Sequence, residues 1–223
     1  MNKLKLAVAV AALSGMAHAD VNFRGFGSFV AGIGTGLEEG QAVLGYDDSV
    51  NYKRDSLLAL QMDGDMGDGL SATMQLMSRG ENNFDPNVEW AYLTYQINDE
   101  LQISAGRIRA PFYRYSDFLD VRYAYNWVTA PARVYSFDFP GYDGISLLHT
   151  TSFGPVDSSL QVIAGELDEM LGSTPIKFED LIGVSWVGSW EFLTGRFSVI
   201  NSKATRELSE LDGPAAGLQE IGD

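Results

Sequence analysis

The chain has 223 residues, 45% of them hydrophobic, and a formal net charge of -15 at pH 7. This acidic balance argues against nucleic acid as a partner, because phosphate binding relies on Lys and Arg clustered over one face. The chain has no cysteine, so disulfides do not stabilise it, but its length is ample for a domain that buries its own apolar surface.

The N-terminal segment has the pattern of an export signal. Lys3 and Lys5 give a basic start, a short apolar run follows, and residues 17–19 (Ala-His-Ala) have the small side chains that signal peptidases read. We predict a signal peptide over residues 1–19 and a mature chain from residue 20. No later run of about eighteen apolar residues occurs, which excludes an inner-membrane helix. Export then leaves the bacterial outer membrane, which closed β-barrels span.

The mature part alternates apolar and polar residues over short segments, as barrel strands do. The clearest segment is 70–77, where apolar residues at even positions alternate with Ser71, Thr73 and Gln75. Because these segments show no apolar stripe of helical period, we predict an all-β chain. The predicted strands are 21–33, 54–63, 70–77, 88–97, 101–107, 144–152, 156–165, 181–189 and 191–201.

Short and long connections alternate between these strands. The short ones carry the Gly, Asp, Asn and Pro residues that tight turns require. A transmembrane barrel has short periplasmic turns and long external loops, whereas a soluble sandwich has no reason to sort its loops in this way. We therefore predict a transmembrane antiparallel β-barrel whose mature N-terminus is periplasmic. The predicted short connections are 64–69, 98–100, 154–155 and 188–190, and the long ones are 34–53, 78–87, 107–140 and 166–180.

The end of the chain does not continue this pattern. Nine strands is an odd number, whereas bacterial single-chain barrels have an even number. Residues 203–223 are polar and show no strand period. We expect the N-terminal part of a barrel over residues 20–202, an external loop or truncated end at 203–223, and hence a fragment of a longer protein.

The connection at 107–140 differs from every other segment. It contains Pro111 and Pro131 and mixes arginine with aromatic residues in an otherwise acidic chain. Long loops without secondary structure are uncommon inside compact domains and are usually functional. Its charged residues are Arg107, Arg109, Arg114, Arg122 and Arg133 against Asp117, Asp120 and Asp138.

A linked series of motifs in and before this loop resembles a known family. The series is VEWAYLTY at 88–95, AGR at 105–107, PFY at 111–113, YSDFLDV at 115–121 and YAY at 123–125. Together these motifs resemble the Gram-negative outer-membrane porins of the general-diffusion type. The resemblance implies a trimer of 16-stranded barrels in the outer membrane, with the third external loop folded inward. A complete member would end in a strand with a terminal aromatic residue, which this chain lacks.

Barrel pattern and resemblance together predict a water-filled channel for passive diffusion of ions and small hydrophilic solutes, narrowed by the loop 107–140. Arginine suits such a site because it stays charged and because fixed charge in a narrow, low-dielectric aperture focuses the field. Arg107 is expected to point into the lumen. The same arginines could instead pair with loop and wall carboxylates and hold the loop in place. The candidate constriction residues are Arg107, Arg109, Arg114, Asp117, Asp120 and Arg122.

Two other functions stay open from the sequence. One is a substrate-specific porin for anionic or sugar solutes, with loop aromatics as a sliding surface, although such residues more often pack a loop against a wall. The other is a structural or adhesive barrel without transport. The expected partners are outer-membrane lipid, further copies of the chain as a homotrimer, ions and small hydrophilic solutes. Four aromatic residues are expected in the membrane-interface girdle, namely Trp186, Trp190, Phe192 and Phe197.

Catalysis has little support in the sequence. The mature chain has a single histidine, His149, and no nucleophile motif of the G-x-S-x-G kind, so we do not expect an enzyme. The acidic residues of the connection 34–53 lack the ligand spacing of a calcium loop, so we expect no metal site. No cofactor is expected.

Overall fold

The computed structural model describes residues 20–113, 116–128, 130–131, 134–135, 141–171 and 174–206. The predicted signal peptide at 1–19 and most of the predicted terminal loop, from residue 207, lie outside the described residues. In the described part, no helix is both long and apolar enough to cross a membrane.

Nine antiparallel strands form one sheet in which neighbours in sequence are neighbours in space. The prediction of an all-β chain with nine strands is confirmed. Within the described residues, the first and last strands are the two edges of the sheet. The strands are β1 (Asp20–Ser28), β2 (Leu57–Gly67), β3 (Leu70–Arg79), β4 (Pro86–Asn98), β5 (Leu101–Arg109), β6 (Gly141–Phe153), β7 (Val156–Leu171), β8 (Thr174–Trp190) and β9 (Leu193–Arg206).

The sheet has one polar and one apolar face, because successive side chains of a strand point to opposite sides. On the polar face, side chains hydrogen-bond between neighbouring strands, as in the pairs Thr94–Ser104 and Ser185–Ser198, both at 2.8 Å. The apolar face carries exposed hydrophobic residues, as expected of a wall with lipid on one side and water on the other. They include Leu58, Leu60, Tyr95, Ile145, Leu147, Leu160, Val162, Ile182, Val184, Phe197 and Val199.

The aromatic residues predicted for the girdle lie near the turn between β8 and β9. Trp190 precedes this turn, and Phe192 lies in it and is 94% exposed. Trp186 and Phe197 are paired across the two strands and are both exposed. An exposed aromatic cluster at the end of a hairpin is the arrangement that a membrane interface favours.

The connections follow the predicted alternation at all but one place. Four pairs of strands are joined by tight turns, three of them within the predicted short connections and the fourth at residues 191–192 rather than 188–190. Longer segments at 29–56, 80–85 and 110–140 precede β2, β4 and β6. The predicted long connection at 166–180 is wrong. After a bulge between Gly165 and Leu167, β7 and β8 continue their ladder as far as Leu171 and Thr174. The acidic segment therefore pairs with itself as an extended hairpin.

The boundaries of all nine predicted strands also differ by one or more residues from the observed ones, and two of these differences affect the predicted loops. β5 continues to Arg109, so the long loop begins at Ala110 rather than at residue 107. β9 continues to Arg206, so the first residues of the predicted terminal loop belong to a strand. In both cases the ladder with the neighbouring strand extends the strand beyond the point at which the apolar alternation stops.

Gly106 in β5 has a backbone conformation that requires glycine. Its φ is +136°, a region that residues with a side chain rarely adopt, and a Cβ there would lie 2.4 Å from the Ala91 carbonyl oxygen. This conformation lets β4 and β5 lie in close contact at this point.

Candidate functional site

The loop between β5 and β6 lies against the polar face of the sheet. Its described part contains two short 3-10 turns, Ser116–Phe118 and Arg122–Ala124. Its residues contact side chains of strands that are far apart in the sheet, from β3 to β9. We therefore describe the candidate site as this loop together with the wall residues that hold it.

Asp120 in the loop is bound by two arginines of the wall. Its Oδ1 accepts a hydrogen bond from Arg79 Nη2 in β3 at 3.2 Å, and its Oδ2 accepts one from Arg109 Nη2 in β5 at 3.0 Å. Arg79 also donates two hydrogen bonds to Glu89 in β4, at 2.7 and 3.0 Å. These four residues, Asp120, Arg79, Arg109 and Glu89, form what we call the Asp120 network.

The Asp120 network is largely buried and has balanced charge. The side chains of Asp120 and Glu89 are 14% and 4% exposed. Burial by itself disfavours the ionised carboxyl of Asp120, but the charges of Arg79 and Arg109 and their hydrogen bonds outweigh it and leave the pKa of Asp120 below its usual range. The network sets two carboxyl groups against two guanidinium groups, and it fixes the loop to three strands.

Trp90 supports the network from the wall. The Cζ atom of Arg109 lies 5.1 Å from the centroid of the Trp90 ring, which is a cation–π distance. Trp90 is buried. It lies just outside the β4–β5 ladder, next to its last pair, Ala91–Arg107. Because Arg109 lies beyond that paired region, its long side chain can turn toward the loop.

A second attachment holds the beginning of the loop from the far side of the sheet. Arg196 in β9 donates hydrogen bonds to the backbone carbonyl oxygens of Pro111 at 2.7 Å and Tyr113 at 2.8 Å. Arg196 shares the parity of Ser198, whose hydroxyl is bonded to Ser185 on the polar face. The loop therefore starts at β5 and reaches β9 within its first residues.

A third contact joins the loop to the long connection between β1 and β2. Arg122 donates a hydrogen bond to the Val128 carbonyl oxygen at 2.9 Å and lies 3.8 Å from a carboxylate oxygen of Asp55. Asp55 also accepts a hydrogen bond from the Tyr46 hydroxyl, and burial together with this bond raises the pKa of Tyr46 to about 12. Arg122 is thus bound both within the loop and to the neighbouring connection.

The aromatic residues of the loop pack in pairs. Tyr113 and Tyr135 meet edge to face with ring centroids 5.0 Å apart, and Tyr125 lies 5.9 Å from Trp127. The Tyr125 hydroxyl also donates to the Leu119 carbonyl oxygen. These contacts agree with the packing role that the sequence favours for loop aromatics, whereas Tyr123 is 82% exposed.

The predicted constriction residues are only partly brought together. Arg109, Asp120 and Arg122 have the contacts given above. The backbone of Asp117 lies in the turn Ser116–Phe118, but its side chain and the whole of Arg114 lie outside the described residues. These candidates stay predictions as constriction residues.

Arg107 contacts the neighbouring strand β6. In the ladders it pairs with Ala91 and Asp143, on the opposite face of β5 from Ser104 and Ile108. Its Nε lies 3.9 Å from a carboxylate oxygen of Asp143. Parity alone does not place Arg107 on the polar face, but Arg109, of the same parity, still reaches Asp120 in the loop, so a side chain of Arg107 that points into the lumen stays a prediction.

Three residues of the site were missed from the sequence, namely Arg79, Glu89 and Arg196. Each carries a charge at or near the end of a predicted strand or on its polar parity. A charged side chain within a barrel wall is costly on the lipid face, so it faces the lumen or pairs with an opposite charge. This argument could have identified all three as wall residues that have a charged or polar partner. It could not have identified the partner itself.

The structure also shows the surroundings of His149 and of the residue types that bind metal ions. His149 in β6 is half-exposed and lies 3.8 Å from a carboxylate oxygen of Glu100. Across the described ranges, no cluster of three or more His, Cys, Asp or Glu residues could hold a metal ion.

A single β-sheet with an apolar outer face, a polar inner face and a long loop on that inner face defines a barrel protein of the bacterial outer membrane. The sequence profile of a family described as Gram-negative porin matches residues 6–167. The chain therefore belongs to the Gram-negative porin family, and its place is the bacterial outer membrane. This confirms the resemblance seen in the sequence and the predicted localisation.

Comparison with individual proteins adds little. A solved structure, OmpTdeltaL8 (a loop L8 deletion mutant of OmpT), an outer membrane protein of Vibrio cholerae, is 12% identical to the chain. The match covers 85% of this chain and 71% of that chain, with a TM-score of 0.38. No curated protein matches the chain.

Proposed function

We propose that the protein forms a water-filled channel, as a homotrimer, for passive diffusion of ions and small hydrophilic solutes across the outer membrane. The observation that carries this proposal is the attachment of the long loop to the polar face by Arg79 and Arg109 at one point and by Arg196 at another. A loop held in this way narrows the lumen of the barrel but does not block it. The proposal includes no catalytic role.

The wall below the loop supports passage of hydrated solutes. It contains an open depression of about 480 Å³ whose lining includes acidic and amide side chains beside apolar ones. Arg24 donates hydrogen bonds to Asp63 at 2.7 and 3.2 Å, and Gln61 and Thr73 also donate to this carboxylate. A surface with many oriented donors and acceptors exchanges hydrogen bonds with water readily, so a solute can keep most of its hydration.

The Asp120 network supplies the electrostatics of the proposed constriction. Because its charges balance, it adds a local field rather than a net charge to the channel. Removal of one arginine would leave the two carboxylates in excess over the remaining guanidinium group. The channel should then prefer cations more strongly than before.

Single-channel recording in a planar bilayer tests this proposal. Wild-type protein should give stepwise conductance in groups of three, and Arg109→Ala should shift the reversal potential in a salt gradient toward cation preference. Lys203→Ala is the matched control, since it also removes one positive charge but from an exposed pair with Asp180. It should leave the reversal potential unchanged.

The absence of any conductance from folded, heat-resistant wild-type barrels would overturn the channel proposal and leave a structural or adhesive role. Conductance with equal reversal potentials for wild type, Arg109→Ala and Lys203→Ala would support the channel proposal. It would contradict the view that the Asp120 network sets the ion selectivity of the channel. Single steps without grouping in threes would contradict the trimer.

A substrate-specific porin is the second candidate. The observation in its favour is the pair of exposed aromatic side chains Tyr123 and Trp127 on the loop, 82% and 46% exposed, which could stack against sugar rings. Conductance that falls saturably as a sugar or an anionic solute is added would support this candidate. A strictly linear response to solute concentration would favour general diffusion.

A further inference from the structure

The beginning of the loop, residues 110–113, crosses the polar face in front of three strands. Ala110 belongs to a buried apolar cluster with Tyr142 of β6, Ile163 of β7 and Leu181 of β8. Phe112 packs against the same cluster, as does Ile200 of β9. We call residues 110–113 the loop start. It leaves the end of β5, lies over this apolar cluster and is contacted by the Arg196 side chain of β9.

The strands beneath the loop start are shaped to receive it. Tyr142 is fully buried, and its ring lies over Gly165, where a Cβ would come within 2.9 Å of the ring. Gly183 in β8 likewise leaves room for Ile163, because a Cβ at Gly183 would lie 2.9 Å from the Ile163 side chain. Small residues in β7 and β8 thus let large apolar side chains lie flat and form a platform.

The backbone of the loop start needs partners from elsewhere. It belongs to no strand ladder. Within the loop, Phe112 N donates to the Ala110 carbonyl oxygen at 2.9 Å and Ser116 N donates to the Tyr113 carbonyl oxygen at 3.2 Å, whereas the Pro111 carbonyl oxygen has its donor in Arg196. Carbonyl oxygens over an apolar platform have poor access to water, and a buried carbonyl without a donor is costly. Arg196 supplies donors to Pro111 and Tyr113 from one planar guanidinium group, whose fork suits two acceptors at once.

We propose that Arg196 is a positioning residue of the channel, which holds the loop start against the platform and so sets the width left for solutes. The proposal rests on the channel function proposed above. Its basis is that one side chain of β9 binds two backbone oxygens of a loop that begins at β5, across the intervening strands. Since Arg196 binds backbone oxygens, its hold does not depend on which side chains residues 111 and 113 carry.

The chain lacks cysteine, which allows a single reporter thiol to be introduced. Ser116 is 5% exposed and its hydroxyl accepts a hydrogen bond from Tyr113 N, so Ser116→Cys places the thiol directly behind the loop start. The rate of reaction with a water-soluble maleimide then measures how often this part of the loop opens. The measurement does not depend on whether the protein conducts.

In the Ser116→Cys background, Arg196→Ala should raise the labelling rate at least about tenfold, which corresponds to about 1.4 kcal/mol. Arg196→Lys keeps the charge but loses the planar fork. Its labelling rate should therefore lie between the rate with wild-type Arg196 and the rate with Arg196→Ala. Arg24→Ala is the matched control, because Arg24 is bonded to Asp63 on the wall of β1 and β2. It should change the rate by less than about twofold.

Single-channel recording of Arg196→Ala should show a larger or less steady conductance than wild type. Equal labelling rates in wild type and Arg196→Ala would overturn the proposal, as would an equal rise with Arg24→Ala. If Arg196→Ala does not fold, the comparison of Arg196→Lys with wild type decides in the same way. A raised labelling rate in a protein that never conducts would refute the channel function but leave the attachment of the loop intact.

Discussion

Replacement of Asp120 by Asn tests the strongest attachment of the loop. Asn keeps the shape of the side chain and one acceptor oxygen but removes the charge that binds Arg79 and Arg109. Removal of one partner from a buried ion pair costs about 3–5 kcal/mol. Because Asp120 is 14% exposed and Asn retains a hydrogen-bond acceptor, we expect the free energy of loop opening to fall by about 2–3 kcal/mol.

Limited proteolysis with trypsin measures this opening. The loop contains Arg114 and Arg122 as cleavage sites, and cleavage follows the population of the open loop when closing is fast. At about 1.4 kcal/mol for each factor of ten, Asp120→Asn should raise the cleavage rate roughly 30- to 150-fold. The same change in an exposed pair, Asp180→Asn, should leave the rate unaltered. A rate for Asp120→Asn within about threefold of wild type would refute the view that the network holds the loop.

Further predictions concern pH, backbone and lipid contact. Since the pKa of Asp120 is lowered, its contribution to loop stability is complete above about pH 3.9, the unfolded value, and is lost only as pH falls through the lower folded value. Protection of the loop against pepsin should therefore persist at pH 4 and decline below it. Gly106→Ala should prevent folding, seen as loss of the heat-modifiable band on gels, whereas Gly195→Ala, which has open space around it, should fold normally. Val199→Arg on the apolar face should lower the free energy of unfolding by up to about 4 kcal/mol in a denaturant titration, and Gln102→Arg on the polar wall should have far less effect.

The strands could be predicted from the sequence because their signal is local. Alternation of apolar and polar residues and the residue types of the tight turns located all nine strands. The same reasoning failed at 166–180, which was predicted to be a long connection between two strands. Pairing with the opposite arm of the hairpin supplies the hydrogen bonds there, and that pairing has no signature in the apolar pattern.

The importance of the long loop was also visible in the sequence. Its length, its prolines and its arginines set it apart from every other connection, and Asp120 and Arg109 were both among the predicted constriction residues. Arg107 shows the limit of such reasoning. A position near the loop does not determine the face of the strand, which depends on parity and register.

The sequence by itself determined the class of the protein: an all-β outer-membrane barrel of the porin family with one long loop rich in charge. Only the tertiary structure decided how that loop is held. Arg79 and Asp120 are 41 positions apart in the chain, and Arg196 and Pro111 are 85 apart. Strand periodicity acts between neighbouring residues and can be read locally, whereas these hydrogen bonds exist only after the sheet has brought distant strands to the same side of the loop.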